Sequence, residues 1–351
     1  MSETEPIEPL RHSPSEVGEA IGPRWKETLG AAYRWMVLAR TFDARMQALQ
    51  RQGRIGFYGA ATGQEAVNVA SGLAVASEDW VFPGLREQLV ALVRGLSLEL
   101  YAHSIFANDR DTARGRQMPC HPTAREVRYV SMSSVIGTQI SQAAGTAYAI
   151  RRRGEAASVL AFFGDGATSS NDFHAGLNFA GVYRLPVVFA CSNNQWAISQ
   201  PVERQTAVAT LAGKASAYGF SGERIDGTDF VATYAGLARA IQQASTGGGP
   251  VLLELITYRM TPHSSSDDPG RYQPADWSAR AQRVDPVRRL GECLRSNGLL
   301  NDPIESGLRS EADARVQAAV RAAEETPPPA RESLTEDVYA PRGPRTGTTG
   351  R

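Results

Sequence analysis

The chain is poor in the features that mark secreted and nucleic-acid-binding proteins. Its 351 residues include only three cysteines, at positions 120, 191 and 293, and none of them lies in a Cys-x-x-Cys pair. An odd number of unpaired cysteines fits a reducing compartment and argues against a structural zinc site. The 37 acidic residues balance the 37 basic ones. Charge therefore gives no reason to expect binding to nucleic acid or to an anionic membrane.

Long apolar runs and targeting signals are also absent from the sequence. No stretch approaches the roughly 18 uninterrupted apolar residues of a membrane-spanning helix. Residues 1–9 carry three glutamates, and no apolar core follows them, which is unlike a signal peptide or an arginine-rich transit peptide. We therefore expect a cytoplasmic protein that binds neither membrane nor nucleic acid.

The apolar pattern predicts one large α/β domain between two polar ends. Residues 1–23 are polar and contain proline, so we expect a flexible N-terminal arm. Residues 24–330 alternate helical and strand-like segments, which predicts an α/β domain with helices at its C-terminal end. Residues 331–351 are expected to form a disordered tail, since Gly, Thr, Arg and Pro dominate its end without an apolar pattern.

Within this domain the apolar spacing predicts individual elements. Helices are expected at residues 25–52, 65–76, 85–94, 138–151, 172–183 and 285–325. Strands are expected at residues 159–163, 187–191, 222–226 and 251–259. Two loops are expected as well, an irregular surface loop at 109–126 and a long mobile loop at 261–274.

The segment Gly164-Asp165-Gly166-Ala167-Thr168 carries the most information, and the pair Asn193-Asn194 follows Gly166 after 26 residues. A predicted strand precedes each of the two segments, and a predicted helix connects them. In such a strand–helix–strand unit both loops lie at the carboxyl edge of a parallel sheet, where open α/β folds bind ligands. The sequence therefore predicts a binding site at this edge.

The residue types in these loops favour magnesium and a diphosphate as the ligands. Gly164 and Gly166 lack a Cβ atom, so the backbone can approach a phosphate closely. The helix that follows would point its positive end at the same place. Asp165 and the amide oxygen of Asn194 are hard oxygen ligands of the kind that Mg²⁺ prefers.

Two alternative interpretations remain open at this point. Gly164-x-Gly166 also begins like the fingerprint of a nicotinamide or flavin dinucleotide fold, but Ser169 stands where the third small residue is expected. The next strand ends in Asn193-Asn194 instead of a ribose-binding acid. A carboxylate between the two glycines would repel a diphosphate unless a cation lay between them. The other alternative is that the glycines only form a turn and that the asparagines follow by coincidence, without a ligand site.

Longer segments narrow the interpretation further. They include residues 56–58, 63–66, 79–83, 115–121, 133–139, 193–199 and 258–268. Together with the Gly-Asp-Gly and Asn-Asn loops, these segments resemble the α subunits of the thiamine diphosphate-dependent decarboxylase component of 2-oxo acid dehydrogenases. The resemblance runs from about residue 25 to residue 328. It implies the thiamine diphosphate-binding fold, a mostly parallel sheet flanked by helices, for the domain at 24–330.

The resemblance also assigns roles to individual residues. It implies that Asp165, Asn194 and the backbone carbonyl of Trp196 hold the metal. The implied cofactor-binding residues are Phe57, Arg86, Ser134, Ile136, Gly164, Asp165, Gly166, Ala167, Asn194 and His263. Arg86 would pair with the terminal phosphate through a charge-assisted contact. A potassium-binding loop is implied at Ser133, Val135, Thr138 and Gln139.

His263 is the implied catalytic residue, within the segment 258–268. A histidine titrates near neutral pH and can donate or accept a proton beside a reacting carbon. An isolated histidine in a polar loop is more often structural, so it is the surrounding segment that favours catalysis here. His121, in the loop at 109–126, is a weaker candidate near the substrate entrance.

The resemblance implies partners as well as cofactors. The glutamate that activates the aminopyrimidine lies on a separate β subunit in this family, so we expect half of an active site, completed in an α₂β₂ heterotetramer. The expected reaction is decarboxylation of a 2-oxo acid with transfer of the acyl group to a lipoyl domain. An acetoin-cleaving α subunit is an alternative with the same fold. A non-catalytic assembly subunit is another, because Leu85 and Ser192 replace a tyrosine and an arginine that relatives carry.

The substrate is indicated only in part. Residues 116–119 and 263–268 look most like branched-chain enzymes, whereas residues 201–206 are similar to bacterial pyruvate enzymes. Gly59 and Ala60 leave little side-chain bulk near Phe57. If that stretch lines the pocket, we expect it to admit a branched side chain.

Overall fold

The computed structural model describes residues 12–336 and residue 338. Within them a five-stranded sheet runs in the order β1 (Trp80–Phe82), β2 (Val159–Gly164), β3 (Val187–Asn193), β7 (Val251–Ile256) and β6 (Ser221–Asp226). Every neighbouring pair of these strands is parallel. A separate antiparallel hairpin consists of β4 (Trp196–Ala197) and β5 (Gln200–Pro201).

Helices cover both faces of the parallel sheet. In chain order they are α1 (Pro14–Ile21), α2 (Trp25–Arg51), α3 (Glu65–Ala74), α4 (Gln88–Val93), α5 (Leu98–Phe106), α6 (Thr138–Arg153), α7 (Asn171–Val182), α8 (Phe230–Ser245), α9 (Trp277–Arg283), α10 (Pro286–Ser296) and α11 (Asp302–Glu325). None of the described helices is long and apolar enough to cross a membrane.

The apolar core forms two layers because alternate side chains of a strand point to opposite faces of the sheet. On β2, Leu160 and Phe162 join one layer with α2, α3, α8, α10 and α11. Val159, Ala161 and Phe163 join the other layer with α6 and α7. With both faces covered, the central strands are apolar throughout, which is typical of parallel sheets.

The predicted strand–helix–strand unit is present. β2 and β3 are neighbours and parallel, with Gly164 opposite Ser192 at their carboxyl ends. The two loops that follow these strands therefore lie side by side, as the sequence indicated. The loop after β2 differs from the prediction in one detail, since a 3-10 helix at Asp165–Ser169 precedes α7. The hydroxyl of Ser170 caps α7 by accepting a hydrogen bond from Phe173 N at 3.2 Å. The positive end that the Gly-Asp-Gly loop presents belongs to this short helix.

The predicted helix at 85–94 begins three residues later than expected, at Gln88. Glu87 turns back and accepts a hydrogen bond from the backbone N–H of Arg86 at 3.2 Å and from Ser192 Oγ on β3 at 3.2 Å. These contacts keep residues 83–87 out of the helix. As a result Arg86 lies in a loop at the carboxyl edge of the sheet.

The ends of the chain also differ from expectation. Part of the expected N-terminal arm is the helix α1, because Ser13 and Glu16 form a capping box and Val17 is completely buried against the core. Residues 331–335, expected in the disordered tail, form a 3-10 helix. The remaining parts of the arm and tail, residues 1–11, 337 and 339–351, lie outside the described residues.

Smaller corrections concern the C-terminal half. The helix predicted at 285–325 is two helices, α10 and α11, separated by residues 297–301, where Gly298 has a left-handed φ of 69°. The strand predicted at 251–259 ends at Ile256, and α5 and α9 were not predicted. The loop at 109–126 is less superficial than expected, since Cys120 and His121 are buried.

Candidate active site

A cavity of about 520 Å³ opens at the carboxyl edge of the sheet. Its volume falls within the range of small-molecule and cofactor sites, roughly 300–1,000 Å³. All eleven residues that the sequence nominated as cofactor, metal or catalytic residues line it: Phe57, Arg86, Ser134, Ile136, Gly164, Asp165, Gly166, Ala167, Asn194, Trp196 and His263. Residues 206 positions apart in the chain therefore meet in one site, although their individual roles stay predictions.

The two glycines of the Gly-Asp-Gly loop have different surroundings. A Cβ atom on Gly166 would lie 2.7 Å from the Cβ of Ala197 in the β4–β5 hairpin. No non-glycine residue fits at this position without moving the hairpin. Gly164, in contrast, has open space where its Cβ would be. Gly164 leaves the backbone accessible, whereas Gly166 lets the two loops of the site pack together.

Asp165 is a buried carboxylate at the base of the cavity, with 1% of its surface exposed. Burial raises its pKa to about 6, although a hydrogen bond from Gln205 acts in the opposite direction. That bond joins Gln205 Nε2 to Asp165 Oδ2 at 2.6 Å, and Asp165 forms no ion pair within the described part of the chain. A buried carboxylate without an ion pair gains the most from a bound cation.

Asn194 and Trp196 flank a residue with a left-handed backbone, Gln195, whose φ is 72°. Such a conformation is costly for a non-glycine residue and is often found at functional sites. The amide oxygen of Asn194 accepts from Trp196 N at 3.2 Å. The carbonyl of Trp196 accepts from Arg259 Nη1 at 3.3 Å, so its second lone pair is the one left for a cation.

Arg86 and His263 are in direct contact, 177 positions apart in sequence. Arg86 Nη2 donates to the backbone carbonyl of His263 at 2.6 Å and lies 3.3 Å from its Nδ1. Arg86 Nη1 donates to the carbonyl of Ala60. Arg86, only 4% exposed, thus fixes the His263 loop to the residues that follow Phe57.

The His263 imidazole is neutral at pH 7 in this environment. Burial, followed by the charges of Arg86 and Arg259, lowers the pKa of His263 to about 4. The backbone N–H of His263 donates to Asp267 Oδ2 at 2.8 Å. Because Arg86 is a donor, the Nδ1 that faces it acts as an acceptor, and a neutral ring then carries its proton on Nε2.

The mouth of the cavity is apolar on one side. Ile136 is 61% exposed, Ile198 52% and Met118 45%, and all three line the cavity. Ser134 lies among them and is exposed as well. Exposed apolar residues grouped around a cleft are typical of a surface that a ligand or partner covers.

The implied potassium loop lies beside this mouth. Ser133 and Gln139 line the cavity. Ser133 Oγ accepts from Val135 N at 3.1 Å, and Gln139 Nε2 donates to Phe162 O at 2.9 Å. Gln139 Oε1 is buried without a hydrogen-bond partner. A buried oxygen of this kind suits a cation ligand.

Sequence reasoning missed several polar residues of the site. Glu87 lines the cavity, and burial raises its pKa. Gln205 and Arg259 contact two of the nominated metal ligands, Asp165 and Trp196. No local pattern marks these residues, since each meets the site through a contact between distant segments.

The condition attached to the branched-chain expectation is met only at Phe57. Gly59 and Ala60 do not line the large cavity in the described structure, because they lie beneath Arg86 and Gln88, to which their carbonyls are hydrogen-bonded. Phe57 does line it, together with Leu85. Any room for a branched side chain must therefore come from the apolar walls.

Comparison with known proteins places this site in a family. The family model described as "Dehydrogenase E1 component" matches residues 33–332. The chain belongs to the dehydrogenase E1 component family. The family prediction is confirmed, and so is the α/β fold class with its parallel sheet flanked by helices.

Individual relatives agree with the family model. The chain is 41% identical over 311 residues to 2-oxoisovalerate dehydrogenase subunit alpha 1, mitochondrial, of Arabidopsis thaliana, covering 88% of this chain. It is 39% identical over 305 residues to the pyruvate dehydrogenase E1 component subunit alpha of Staphylococcus aureus, covering 87% of this chain and 80% of that protein. The chain spans 65% of the length of the plant relative.

Proposed function

We propose that this E1-family chain is the α subunit of a 2-oxo acid dehydrogenase. In this proposal it takes part in the thiamine diphosphate-dependent decarboxylation of a branched-chain 2-oxo acid or pyruvate and in acyl transfer to a lipoyl domain. The observation that carries it is the meeting of Asp165, Asn194, Arg86 and His263 in one cavity of cofactor size. The names of the relatives support the reaction class.

The residues present fit the diphosphate end of the cofactor. Gly164 leaves the backbone accessible, and the start of the 3-10 helix at Asp165, Gly166 and Ala167 lines the cavity without a side-chain cap. Arg86 is the one arginine or lysine among the described residues that line the cavity. It is held in place by two backbone carbonyls, so it needs little ordering to meet a phosphate.

Magnesium is the proposed metal, with Asp165, Asn194 and the carbonyl of Trp196 as its ligands. Burial raises the pKa of Asp165 more than Gln205 and Arg259 lower it, which supports a cation beside its carboxylate. No group of three His, Cys, Asp or Glu side chains that could hold a metal occurs in the described residues. A cation here would thus depend on amide, carbonyl and phosphate oxygens, which suit Mg²⁺ better than softer metals.

A potassium ion is proposed at Ser133, Val135, Thr138 and Gln139. The unpartnered, buried Oε1 of Gln139 supports it. The same loop continues into α6 and carries Ser134 and Ile136 at the cavity mouth. A cation bound there would fix the backbone of these residues.

The residues of this chain contribute orientation and proton transfer. The thiamine cofactor supplies, when bound, the electron sink for loss of CO₂. Arg86 anchors both the diphosphate and the His263 loop, so it sets the distance between the two. The neutral imidazole of His263 carries a proton on Nε2, which it can give to an oxygen that becomes basic during the reaction.

A β subunit is the proposed partner, and the lipoyl domain of an acyltransferase is the proposed acceptor. The exposed apolar residues at the mouth, among them Ile136, Ile198 and Met118, support a covering partner. The alternatives of acetoin cleavage and of a non-catalytic assembly subunit keep the same fold. The cytoplasmic location stays a prediction.

The test is reconstitution with a β subunit encoded in the same genome. The complex, supplied with thiamine diphosphate and Mg²⁺, should release CO₂ from 3-methyl-2-oxobutanoate or pyruvate and acylate a lipoyl domain. A complex that assembles and cleaves only acetoin would favour the first alternative. Assembly without turnover of any of these substrates would favour the second.

A further inference from the structure

Gln205 contacts the proposed metal site, although it is not among the residues that line the cavity in the described structure. Its Nε2 donates to Asp165 Oδ2 at 2.6 Å, across 40 positions of the chain. Within the described residues no other side chain donates a hydrogen bond to this carboxylate. Gln205 can therefore act on a bound ligand only through Asp165.

Two acceptors determine the orientation of the Gln205 amide. Its Nε2 also donates to the backbone carbonyl of Gln200 at 2.9 Å, so both amide hydrogens are used. The opposite orientation would place Oε1 against two acceptor oxygens. In the observed orientation Oε1 is buried and has no hydrogen-bond partner in the described part of the chain. Since a buried oxygen without a partner is costly, the two donor bonds must be what holds the amide in place.

The backbone also holds Gln205 beside the Gly-Asp-Gly loop. Gln205 follows the β4–β5 hairpin and the short 3-10 helix Val202–Arg204. Ala197 of the hairpin packs so close to Gly166 that a Cβ atom on the glycine would lie 2.7 Å from the Cβ of Ala197. Ser169 Oγ donates to the carbonyl of Gln205 at 3.4 Å. The amide therefore has a fixed position relative to the carboxylate that it contacts.

The three proposed metal ligands share one property. Each of them already accepts one hydrogen bond from the protein, Asp165 from Gln205, Asn194 from Trp196 N at 3.2 Å and the Trp196 carbonyl from Arg259 at 3.3 Å. An amide or carbonyl oxygen has two lone pairs, so one remains for a cation. The carboxylate differs, because it has a second oxygen that could also bind the ion.

Mg²⁺ and Ca²⁺ make different demands on such a carboxylate. Mg²⁺ requires a nearly ideal octahedron of about six ligands, whereas Ca²⁺ takes about six to eight and often binds both oxygens of one carboxylate. Three single protein oxygens, with diphosphate and water oxygens, suit the octahedral ion. A carboxylate that is free to turn would give Ca²⁺ a fourth protein oxygen.

We propose that Gln205 is a positioning residue that confines Asp165 to one metal-facing oxygen and thereby selects Mg²⁺ over Ca²⁺. This inference rests on the proposed function, because Mg²⁺ is the proposed metal. Both oxygens of Asp165 can face a cation only if the carboxylate turns away from Gln205 Nε2. The hydrogen bond opposes this turn, so it should disfavour Ca²⁺ more than Mg²⁺.

Competition between metals tests the inference in the complex with the β subunit, supplied with excess thiamine diphosphate. Mn²⁺ is the probe, since free Mn²⁺ gives an electron paramagnetic resonance signal that decreases on binding. Its displacement by Mg²⁺ and by Ca²⁺ measures both affinities. In Gln205→Met the Mg²⁺ affinity should fall about tenfold, as for other residues that support a metal ligand. The Ca²⁺ affinity should change by less than about threefold, because the freed carboxylate offers this ion a second oxygen.

The choice of variants separates selection from packing. Gln205→Met keeps the length of the side chain and removes the donor. Gln205→Glu keeps the shape and replaces the donor by an oxygen, so it should lower the ratio of Mg²⁺ to Ca²⁺ affinity further. Gln200→Met is the matched control, since the Gln200 side chain is exposed and its contact with Gln205 uses the backbone carbonyl. Both affinities should be unchanged in this control.

A purely structural role of Gln205 predicts a different result. If Gln205 only held the hairpin, its loss would weaken the binding of both ions by the same factor. An unchanged affinity ratio in Gln205→Met therefore overturns the proposal. If this variant does not fold, the ratio in Gln205→Glu gives the same decision.

Crystal structures with Ca²⁺ provide a second measurement that does not depend on affinity. In the wild-type complex one oxygen of Asp165 should lie within about 2.6 Å of the ion, and in Gln205→Met both should. Two bound oxygens in the wild-type complex would overturn the role of Gln205.

The proposed function and the role of Gln205 fail in different ways. A wild-type complex that binds no Mg²⁺ with thiamine diphosphate overturns the proposed function, and the selection of Mg²⁺ falls with it. A wild-type complex that binds Mg²⁺ and Ca²⁺ equally leaves the proposed function standing and overturns the role of Gln205. A preference for Mg²⁺ that Gln205→Met reduces and Gln200→Met retains supports both.

Discussion

Asp165 and His263 face the same cavity, but the chain places them by different means. Asp165 follows β2 directly, inside one strand–helix–strand unit. His263 lies in a long loop after β7 and is held by Arg86, 177 residues away in sequence. The metal side, as we call the Asp165 region proposed to bind Mg²⁺, is thus a product of local sequence. The proton-transfer side, as we call the His263 region proposed to move a proton, depends on tertiary contacts.

Burial acts on the two residues with opposite signs. It raises the pKa of Asp165 to about 6 and lowers the pKa of His263 to about 4. In both cases the low-dielectric surroundings disfavour the charged form. The consequence differs, because Asp165 remains charged at pH 7 and favours a cation, while His263 is neutral and keeps one transferable proton.

The variant His263→Ala should remove the function proposed for the proton-transfer side. We expect turnover of the αβ complex to fall about 1,000-fold, within the range for loss of a general acid or base. Cofactor affinity should change by less than about threefold, because Arg86 also donates to the backbone carbonyl of His263. Steady-state kinetics with a lipoyl domain, together with calorimetry, separates the two effects.

The matched control for this variant is His12→Ala. His12 pairs with Asp229 at 2.8 Å and is not among the residues that line the cavity. Turnover should be retained in the control. Normal turnover in His263→Ala itself would remove His263 from the catalytic residues.

The pH dependence of stability tests the environment of Asp165 on the metal side. The pKa of Asp165 is about 6 in the folded chain and roughly 3.9 in an unfolded chain. Between about pH 4 and pH 6 the Asp165 carboxyl is therefore mostly protonated in the folded chain and mostly ionised in the unfolded chain. As a result the free energy of unfolding decreases as pH rises through this range. Above pH 6 the cost is constant, up to about 3 kcal/mol at about 1.4 kcal/mol per pKa unit.

Asp165→Asn should remove this cost. Without cofactor or Mg²⁺, the variant should be more stable than the wild-type chain at pH 7.5, and the gain should disappear near pH 4. Urea unfolding of both chains across this pH range measures the difference, in which the contributions of Asp43 and His263 cancel. An equal stability difference at pH 4 and pH 7.5 would mean that Asp165 is not desolvated.

The same substitution should weaken the binding of Mg²⁺ and thiamine diphosphate. Loss of a residue that only supports a metal ligand commonly costs 10- to 100-fold in affinity, so loss of a ligand should cost at least about 100-fold. Glu203→Gln is the control, because Glu203 is an exposed carboxylate close enough to act on the charge of Asp165. Calorimetry on the αβ complex decides, and unchanged binding in Asp165→Asn would exclude Asp165 as a ligand.

The sequence predicted the strand–helix–strand unit that carries Asp165 well, because the signals for this unit are local. Apolar strands, a glycine pair and a helical spacing lie within residues 159–194, and each fixes its own element. The family resemblance then supplied Arg86 and His263, which no local pattern marks as site residues. The apolar periodicity alone places Arg86 in a helix at 85–94. In the structure the helix begins at Gln88, because Glu87 is hydrogen-bonded to Ser192.

What the sequence could not provide were the contacts between distant segments. Gln205 reaches Asp165 across 40 residues, and Arg259 reaches Trp196 across 63. The carbonyls of Gly59 and Ala60 hold Gln88 and Arg86, contacts that could not be anticipated from the sequence. Such pairings depend on how the loops pack, and neither spacing nor composition encodes them.

The smallest expected effect concerns the choice of substrate. The side of the cavity with Phe57, Leu85, Met118 and Ile136 is apolar, so it should favour a branched side chain over the methyl group of pyruvate. 3-Methyl-2-oxobutanoate has two more carbon atoms than pyruvate, and each buried methylene adds roughly 0.8 kcal/mol to transition-state binding. We expect kcat/KM for this acid to exceed that for pyruvate by about tenfold.

Leu85→Ala should reduce this preference, since it removes apolar surface without touching the residues proposed for the metal or for proton transfer. Assays of the αβ complex with both acids decide the question, and a clear preference for pyruvate would overturn the branched-chain assignment.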